Sequence, residues 1–350
     1  MRSAAGLVFA FLIAAPAFAQ DWATRDVCTV DEPRIHEEVF APGSLADLEQ
    51  AAELIPNALG KFWQIRAPSG ALSHLWGTYH SADPLIVALP EEVETIIDSS
   101  RVVAVEIDFT HPDRQSYRDA QLMEGRFSEA SDPFSFSPGD GTVAGLPPEI
   151  SNWVRDRAIE LGWTEDIDLI MSLPGIAEML LSDPCEDFTQ GILPIQDDYI
   201  QLLGRLGGAR ILSLESPDEM IADLGADDET ARAMIATYAA YLQPADSNRE
   251  RATSFALYLQ GRLGVMAAWD RAYQQSVYGT RALEALERTD DYLLDARNRR
   301  FIDRLSNELA DGDAFVAVGS AHIPGEDGLV ALLRASGYTV TRIQLPGESP

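Results

Sequence analysis

One short motif occurs twice in this chain, and each copy presents a histidine just after an apolar run. The copies are Gly77-x-x-His80 and Gly319-x-x-His322. The apolar runs predict β-strands, and a glycine lets the chain leave a strand where a Cβ atom would clash. The chain has only five histidines. Two of them at equivalent places in two similar units predict a shared site at the sheet edge where α/β proteins bind ligands.

Two acidic residues also stand at the ends of predicted strands. Glu106 follows His80 by 26 residues, a normal length for a strand, a helix and a returning parallel strand. Glu106 is therefore expected at the same edge as His80. A carboxylate in an apolar run is costly to bury unless it binds a cation or pairs with an arginine, and either reading fits Glu106. Glu215 ends a further predicted strand and repeats this feature.

Two imidazoles and one carboxylate form the ligand set of a catalytic metal site that keeps an open position. We therefore expect His80, His322 and Glu106 to hold a divalent metal ion such as Mn, Co or Zn. Such an ion would lower the pKa of a coordinated water and polarise a carbonyl group. Glu215 would serve as a further ligand or as a general base, and Glu106 or Glu215 would handle the proton.

A basic cluster, Arg297-Asn298-Arg299-Arg300, lies on a predicted helix. Surface ion pairs with the many acidic residues are one reading of this cluster. The functional reading is that Arg297 or Asn298 reaches the sheet edge and holds a carboxylate or a developing oxyanion. Arg297 and Asn298 are therefore candidate catalytic residues together with the histidines and the glutamates.

The hydrophobic pattern predicts strands at both ends of the chain and helices between them. The predicted strands lie near residues 61–66, 71–76, 101–107, 209–215, 314–318 and 338–343. The predicted helices lie near 44–54, from Pro90 onward, near 148–161, 166–182, 195–206, 228–242, 250–287 and 290–310, and before Gly337.

A helix between two strands implies parallel pairing, because the crossover between parallel strands needs a connection as long as a helix. The expected fold is therefore α/β, with a mixed, mainly parallel central sheet built from both chain ends. Helices flank this sheet, and a large helical insertion covers about residues 111–310.

The first residues have the pattern of an export signal. Arg2 precedes the apolar run Leu7–Ile13, and Ala17-Phe18-Ala19 forms a cleavage site. Residues 1–19 are therefore expected to be a signal peptide. Cleavage after Ala19 would leave residues 20–350 as a single periplasmic or secreted domain. No later stretch is apolar enough to predict a stable membrane span.

Cysteine usage fits the same compartment. The chain has two cysteines, Cys28 and Cys185. In an oxidising compartment they could form one disulfide, or both could remain buried thiols. Their spacing does not match a zinc site.

Composition narrows the choice of partner. The 350 residues include 26 Lys and Arg and 56 Asp and Glu, which gives a net charge of −30. Such a surface repels phosphate backbones, so no nucleic-acid partner is expected. The sequence has no Gly-x-Ser-x-Gly, His-Glu-x-x-His or P-loop motif. The expected partner is a peptide or small-molecule substrate, and the oligomeric state stays open.

At the candidate site residues the sequence resembles the TraB/GumN family, which includes the animal Tiki proteases. The resemblance rests on three blocks: Leu75–His80, Val103–Glu106 and Phe315–Leu329. It implies a metal-dependent, peptidase-like hydrolase. His80, Glu106 and His322 would lie in its active site, with Arg297 and Asn298 as supports.

The same resemblance implies distant relations to ChaN-like haem-binding proteins and to erythromycin-esterase-like hydrolases. Two alternatives therefore stay open. In the first, the same pocket binds haem or another small ligand without catalysis, with a histidine as axial ligand. In the second, the protein is a metal-free, esterase-like hydrolase that uses histidine and glutamate as acid and base.

Overall fold

The computed structural model describes residues 30, 32–108, 143, 146–160, 163–181, 195–242, 247–279 and 282–350. The predicted signal peptide over residues 1–19 lies outside these residues, as do Cys28 and Cys185. Among the helices within these ranges, none has the length and hydropathy needed to cross a bilayer.

A sheet of six strands runs through the described part of the chain, in the order β4-β3-β5-β2-β1-β6. Neighbours β4, β3, β5 and β2 pair in parallel, and β1 pairs antiparallel with both β2 and β6. The fold is therefore α/β with a mixed, mainly parallel sheet, as the sequence predicts. In chain order the strands are β1 (Phe62–Arg66), β2 (Leu72–Thr78), β3 (Val102–Val105), β4 (Arg210–Ser213), β5 (Ala314–Gly319) and β6 (Thr339–Arg342).

The expectation that strands joined by a helix pair with each other was wrong. β5 inserts between β2 and β3, and two strands separate β5 from β6. The strand directions are parallel as expected, but the connections skip positions. All six residues of β5 are buried, so this strand is suited to the centre of the sheet, where both faces are covered. As a result, the two strands that precede the Gly-x-x-His motifs are direct neighbours.

Helices cover both faces of the sheet and form most of the described chain between β3 and β5. The predicted stretch over 250–287 is broken, because Gly261 and Gly279 adopt positive φ angles of 67° and 70°. A π-helical turn (Asp291–Asp295) leads directly into α13, and a 3₁₀ turn (Ser320–His322) follows β5. In chain order the α-helices are α1 (Leu45–Ala52), α2 (Pro84–Val87), α3 (Glu91–Ser99), α4 (Pro148–Glu160), α5 (Ile167–Ile170), α6 (Leu173–Met179), α7 (Gln196–Gly207), α8 (Pro217–Gly225), α9 (Asp228–Ala240), α10 (Ser247–Leu259), α11 (Leu263–Tyr278), α12 (Ala282–Asp290), α13 (Ala296–Asp311) and α14 (Leu329–Ala335).

Apolar side chains from the helices complete a core on each face of the sheet. On one face, Ile97 of α3 and Ile200 of α7 join a cluster with β-strand residues. On the other face, α10, α13 and α14 contribute Phe255, Phe301 and Leu329 to a second cluster. Such two-sided coverage is what a parallel sheet requires. It fixes α7 and α13 over opposite faces of one sheet.

A buried ion pair fastens the C-terminal segment beside the first motif. Lys61 Nζ lies 3.2 Å from Glu348 Oε1, and both side chains are almost fully buried. The ammonium also lies over the Trp76 and Tyr258 rings, 5.8 and 5.1 Å from their centroids. Burial lowers the pKa of Lys61, and Glu348 partly offsets this. Because the Tyr258 hydroxyl lies 2.9 Å from the Gly77 carbonyl, the pair braces the strand that carries His80.

We expect Glu348→Ala to lower the free energy of unfolding by about 3–5 kcal/mol, because Lys61 would stay buried without a counter-charge. Urea unfolding followed by circular dichroism measures this loss. Glu165→Ala, at an exposed position, is the control and should change stability by less than about 0.5 kcal/mol. Equal stability of the two variants would contradict the bracing role of the ion pair.

Candidate functional site

Four parallel neighbours bring their carboxyl-terminal ends to one edge of the sheet. His80 follows β2, His322 follows β5, Glu106 follows β3 and Glu215 follows β4. The parallel ladder continues past β3 and β4, because the Glu215 N–H donates to the Glu106 carbonyl over 3.0 Å. The strand order therefore sets these four side chains along a single edge.

The structure brings His80, Glu106 and His322 together. Glu106 Oε1 lies 3.5 Å from His322 Nε2 and 3.9 Å from His80 Nε2. The three side chains differ in exposure, at 56% for His80, 11% for Glu106 and 3% for His322. His322 thus forms the floor of the site, and His80 stands at its mouth.

Arg297 binds both glutamates at the edge. Its Nη2 donates to Glu106 Oε2 over 2.5 Å, and its Nε and Nη2 donate to the two oxygens of Glu215. Burial raises the pKa of Glu106, but Arg297, the two imidazoles and the Gly319 N–H outweigh it and hold that pKa well below its usual range. Glu106 is therefore an ionised carboxylate, and its Oε1, which accepts the Gly319 N–H over 2.5 Å, faces the imidazoles.

Glu215 serves mainly as the partner of Arg297. Its side chain is fully buried, and both of its oxygens accept hydrogen bonds from the guanidinium. Burial raises the pKa of Glu215, and Arg297 opposes that rise. Because both oxygens are engaged, this geometry favours a positioning role for Glu215 over direct contact with a bound group.

Asn298 fixes the proton on His322. Its amide nitrogen donates to the Asp327 carbonyl over 2.9 Å, so its Oδ1 faces the imidazole, 2.7 Å from His322 Nδ1. An amide oxygen can only accept, so Nδ1 carries the proton and Nε2 keeps its lone pair toward Glu106. Burial lowers the pKa of His322 to about 3, although Glu106 acts in the opposite direction. His322 is therefore a neutral imidazole.

The rest of the basic cluster makes surface ion pairs. Arg299 lies 2.8 Å from Asp327, and Arg300 lies 2.5 Å from Asp223. Arg300 also lies 3.8 Å from the buried Glu215, but only Arg297 and Asn298 of this cluster are themselves buried. Surface pairing, the alternative reading of the cluster, thus describes Arg299 and Arg300.

Gly319 keeps a space open among the three predicted ligands. Its φ angle of −49° suits any residue, so backbone strain does not require a glycine. A Cβ atom at this position would lie 3.0 Å from His80 Nε2, 3.2 Å from Glu106 Oε1 and 3.7 Å from His322 Cδ2. The space above Gly319 Cα is therefore the point on which the three side chains converge.

At Gly77, its counterpart in the first motif, packed neighbours fill the space that a Cβ atom would need. A Cβ atom there would lie 2.5 Å from Ile323 Cδ1 and 3.1 Å from Ser320 Cα. The close approach lets the chain leaving β5 cross directly over β2. The sequence prediction of a clash at this glycine is thus confirmed.

The donor set fits a divalent cation. Glu106 Oε1 and His322 Nε2 are both acceptors, and their lone pairs face each other with no proton between them. Two ligand atoms on one tetrahedral ion, with bonds of about 2.1 Å, lie about 3.4 Å apart. Within the described ranges, no three His, Cys, Asp or Glu side chains form a complete coordination set.

The sequence analysis missed Asp197, in the first turn of α7. This residue is buried, and its Oδ1 lies 3.8 Å from His80 Nε2. Acidic residues in the first turn of a helix are ordinary, because they interact with the positive end of the helix dipole. Its pairing with the Thr78 hydroxyl, which donates to Oδ1 over 2.7 Å, depends on the tertiary fold. No sequence signal sets Asp197 apart from Asp198.

Comparison with known families assigns the chain to one group of proteins. The sequence profile of the TraB/PrgY/gumN family matches residues 61–342. This chain belongs to the TraB/PrgY/gumN family. The match spans His80, Glu106, Glu215, Arg297 and His322. Among curated proteins, none matches this TraB/PrgY/gumN chain.

The two motif glycines should respond differently to the same substitution. Gly319→Ala should keep stability within about 1 kcal/mol but abolish binding of a divalent cation, because the methyl group fills the space among the ligands. Gly77→Ala should cost about 1–3 kcal/mol of stability, because the Ser320 backbone cannot move away. Urea unfolding and calorimetric titration with Mn²⁺ measure both effects. Cation binding by Gly319→Ala at wild-type affinity would contradict the assigned space.

His322 should make the metal-free protein less stable in acid. Its pKa falls from the usual 6.5 to about 3 in the folded protein, so between these values only the unfolded chain binds the proton. This contribution to stability is present above pH 6.5 and is lost as the pH falls toward 3, by up to about 1.4 kcal/mol per pH unit. The stability difference between wild type and His322→Gln should therefore narrow from pH 7 to about pH 5. Urea unfolding across that range measures it, and a constant difference would contradict the neutral imidazole.

Proposed function

We propose that this protein is an exported, metal-dependent hydrolase that cleaves a peptide bond. The observation that carries the proposal is that His80 Nε2, Glu106 Oε1 and the His322 ring surround the space above Gly319, with His322 Nε2 3.5 Å from Glu106 Oε1. Imidazole and carboxylate ligands suit Mn²⁺, Co²⁺ and Zn²⁺.

The charges around the site support a cation. Glu106 and Glu215 both bind the guanidinium of Arg297, Arg300 lies 3.8 Å from Glu215, and a third carboxyl group, Asp197, lies close by. Three carboxyl groups thus stand at a partly buried place, where charge interactions are strong. A divalent cation between Glu106 and Asp197 would interact favourably with both.

The residues of the chain have separate tasks in this proposal. A divalent ion held by His80, Glu106 and His322 would polarise the carbonyl under attack and activate the attacking water. Arg297 keeps Glu106 ionised, and Asn298 keeps the His322 proton on Nδ1. All the donors that Arg297 turns toward the strand ends are engaged by Glu106 and Glu215, so it acts by positioning. Half-exposed His80 marks where a substrate enters.

Two parts of the proposal rest on the sequence. The export signal is the pattern over residues 1–19. The peptide substrate follows from the resemblance to the Tiki proteases. A metal ion at this edge of the sheet would polarise a carbonyl group, and a peptide bond contains one.

The test uses the full chain expressed with its N-terminal segment and purified after export. We expect one divalent ion per chain, and we expect chelation to stop cleavage of a quenched-fluorescence peptide library. Added Mn²⁺, Co²⁺ or Zn²⁺ should restore the cleavage. His80→Ala and His322→Ala should each lose the ion and reduce cleavage at least about 100-fold. His36→Ala is the matched control, because His36 contacts Arg34 and Glu38 instead of the site.

Three outcomes would overturn the proposal. Equal ion content in wild type, His80→Ala and His322→Ala would place the ion elsewhere. Full cleavage after exhaustive chelation would favour the metal-free, esterase-like alternative. A Soret band on haem titration that disappears in His80→Ala, without any peptide cleavage, would favour the ligand-binding alternative instead.

A further inference from the structure

Asp197 reaches the site from α7, an element that carries none of the predicted ligands. Asp197 is 8% exposed. Its Oδ1 lies 3.8 Å from His80 Nε2, the same nitrogen that lies 3.9 Å from Glu106 Oε1. One imidazole nitrogen therefore faces two carboxylates at nearly equal distances, each too long for a hydrogen bond.

The second oxygen of Asp197 has no partner. Oδ2 is buried and accepts no hydrogen bond from any residue that the structure describes. A buried acceptor left unpaired lowers the stability of the fold. The helix cap does not need this oxygen, because Asp198 accepts the Ile195 N–H over 3.2 Å. A cation bound at the site would account for the cost.

Thr78 holds this carboxylate in place. Its hydroxyl donates to Asp197 Oδ1 over 2.7 Å, and Thr78 stands directly opposite Gly319 in the parallel pairing of β2 with β5. The hydroxyl thus fixes Asp197 beside the open space that Gly319 provides. A carboxylate fixed in this way is preorganised to bind an ion.

We infer that Asp197 is a fourth ligand of the metal centre. This inference rests on the function proposed above. With Asp197, the donor set becomes two imidazoles and two carboxylates. Carboxylate oxygens suit Mn²⁺, whereas imidazoles suit Zn²⁺, so Asp197 shifts the preference of the centre toward Mn²⁺.

The experiment compares Asp197→Asn with Asp198→Asn in the purified full chain. Both substitutions remove one negative charge that acts on His80, but only Asp197 faces it at close range. Calorimetric titration gives the affinities for Mn²⁺ and Zn²⁺, and thermal unfolding gives the stability of the metal-free proteins. Thr78→Val, which removes the hydroxyl that holds Asp197, is the second test variant.

We expect Asp197→Asn to weaken Mn²⁺ binding about 100-fold and Zn²⁺ binding less. Asp198→Asn should change both affinities by only a few-fold, and Thr78→Val should weaken Mn²⁺ binding by an intermediate factor. Metal-free Asp197→Asn should unfold at the wild-type temperature or above it, because the substitution removes the charge of a buried carboxylate.

Three results would overturn the inference. Wild-type Mn²⁺ affinity in Asp197→Asn would show that Asp197 is not a ligand, while the proposed centre would stand. If metal-free Asp197→Asn unfolds at a lower temperature and loses equal affinity for Mn²⁺ and Zn²⁺, then Asp197 has a structural role. If wild type binds neither ion, the proposed function itself fails, and the fourth ligand fails with it.

Discussion

The ion triad of Glu106, Arg297 and Glu215 holds the edge of the sheet in its geometry. Burying each of these charges alone would cost several kcal/mol, and only their mutual hydrogen bonds offset that cost. The guanidinium comes from the first turn of α13, whereas the carboxylates end two adjacent strands. The triad therefore fixes the helix against the strand ends. It also occupies Oε2 of Glu106, so that Oε1 alone is presented to the imidazoles.

Strand order turns this local interaction into a site. β5 lies between β2 and β3, so the turns after β2 and β5 stand side by side and Glu106 reaches both. Two consecutive residues of α13 contact the ends of three neighbouring strands, β4, β3 and β5. Arg297 binds the carboxylates, and Asn298 orients His322. A π-helical turn immediately precedes these two residues. Such turns are often found at functional sites, because they change the direction of the following side chains.

Much of this arrangement can be predicted from the sequence. Apolar runs locate the six strands of the described sheet, and parallel direction alone is enough to bring His80 and Glu106 to one edge. Which strands are neighbours in the sheet could not be predicted. A helix between two strands fixes their relative direction and leaves open how many strands separate them. Asp197 was missed for a related reason. Its importance comes from contact with Thr78 and His80 across more than a hundred residues of chain, and helix-start chemistry alone explains an acid at its position.

Anomalous diffraction from crystals soaked in Mn²⁺ tests the central claim most directly, because it locates a bound ion without reference to activity. The account predicts a single strong peak above Gly319 Cα, within bonding distance of His80 Nε2, Glu106 Oε1 and His322 Nε2. A peak elsewhere on the chain, with the two imidazoles and Glu106 left as separate groups, would contradict it.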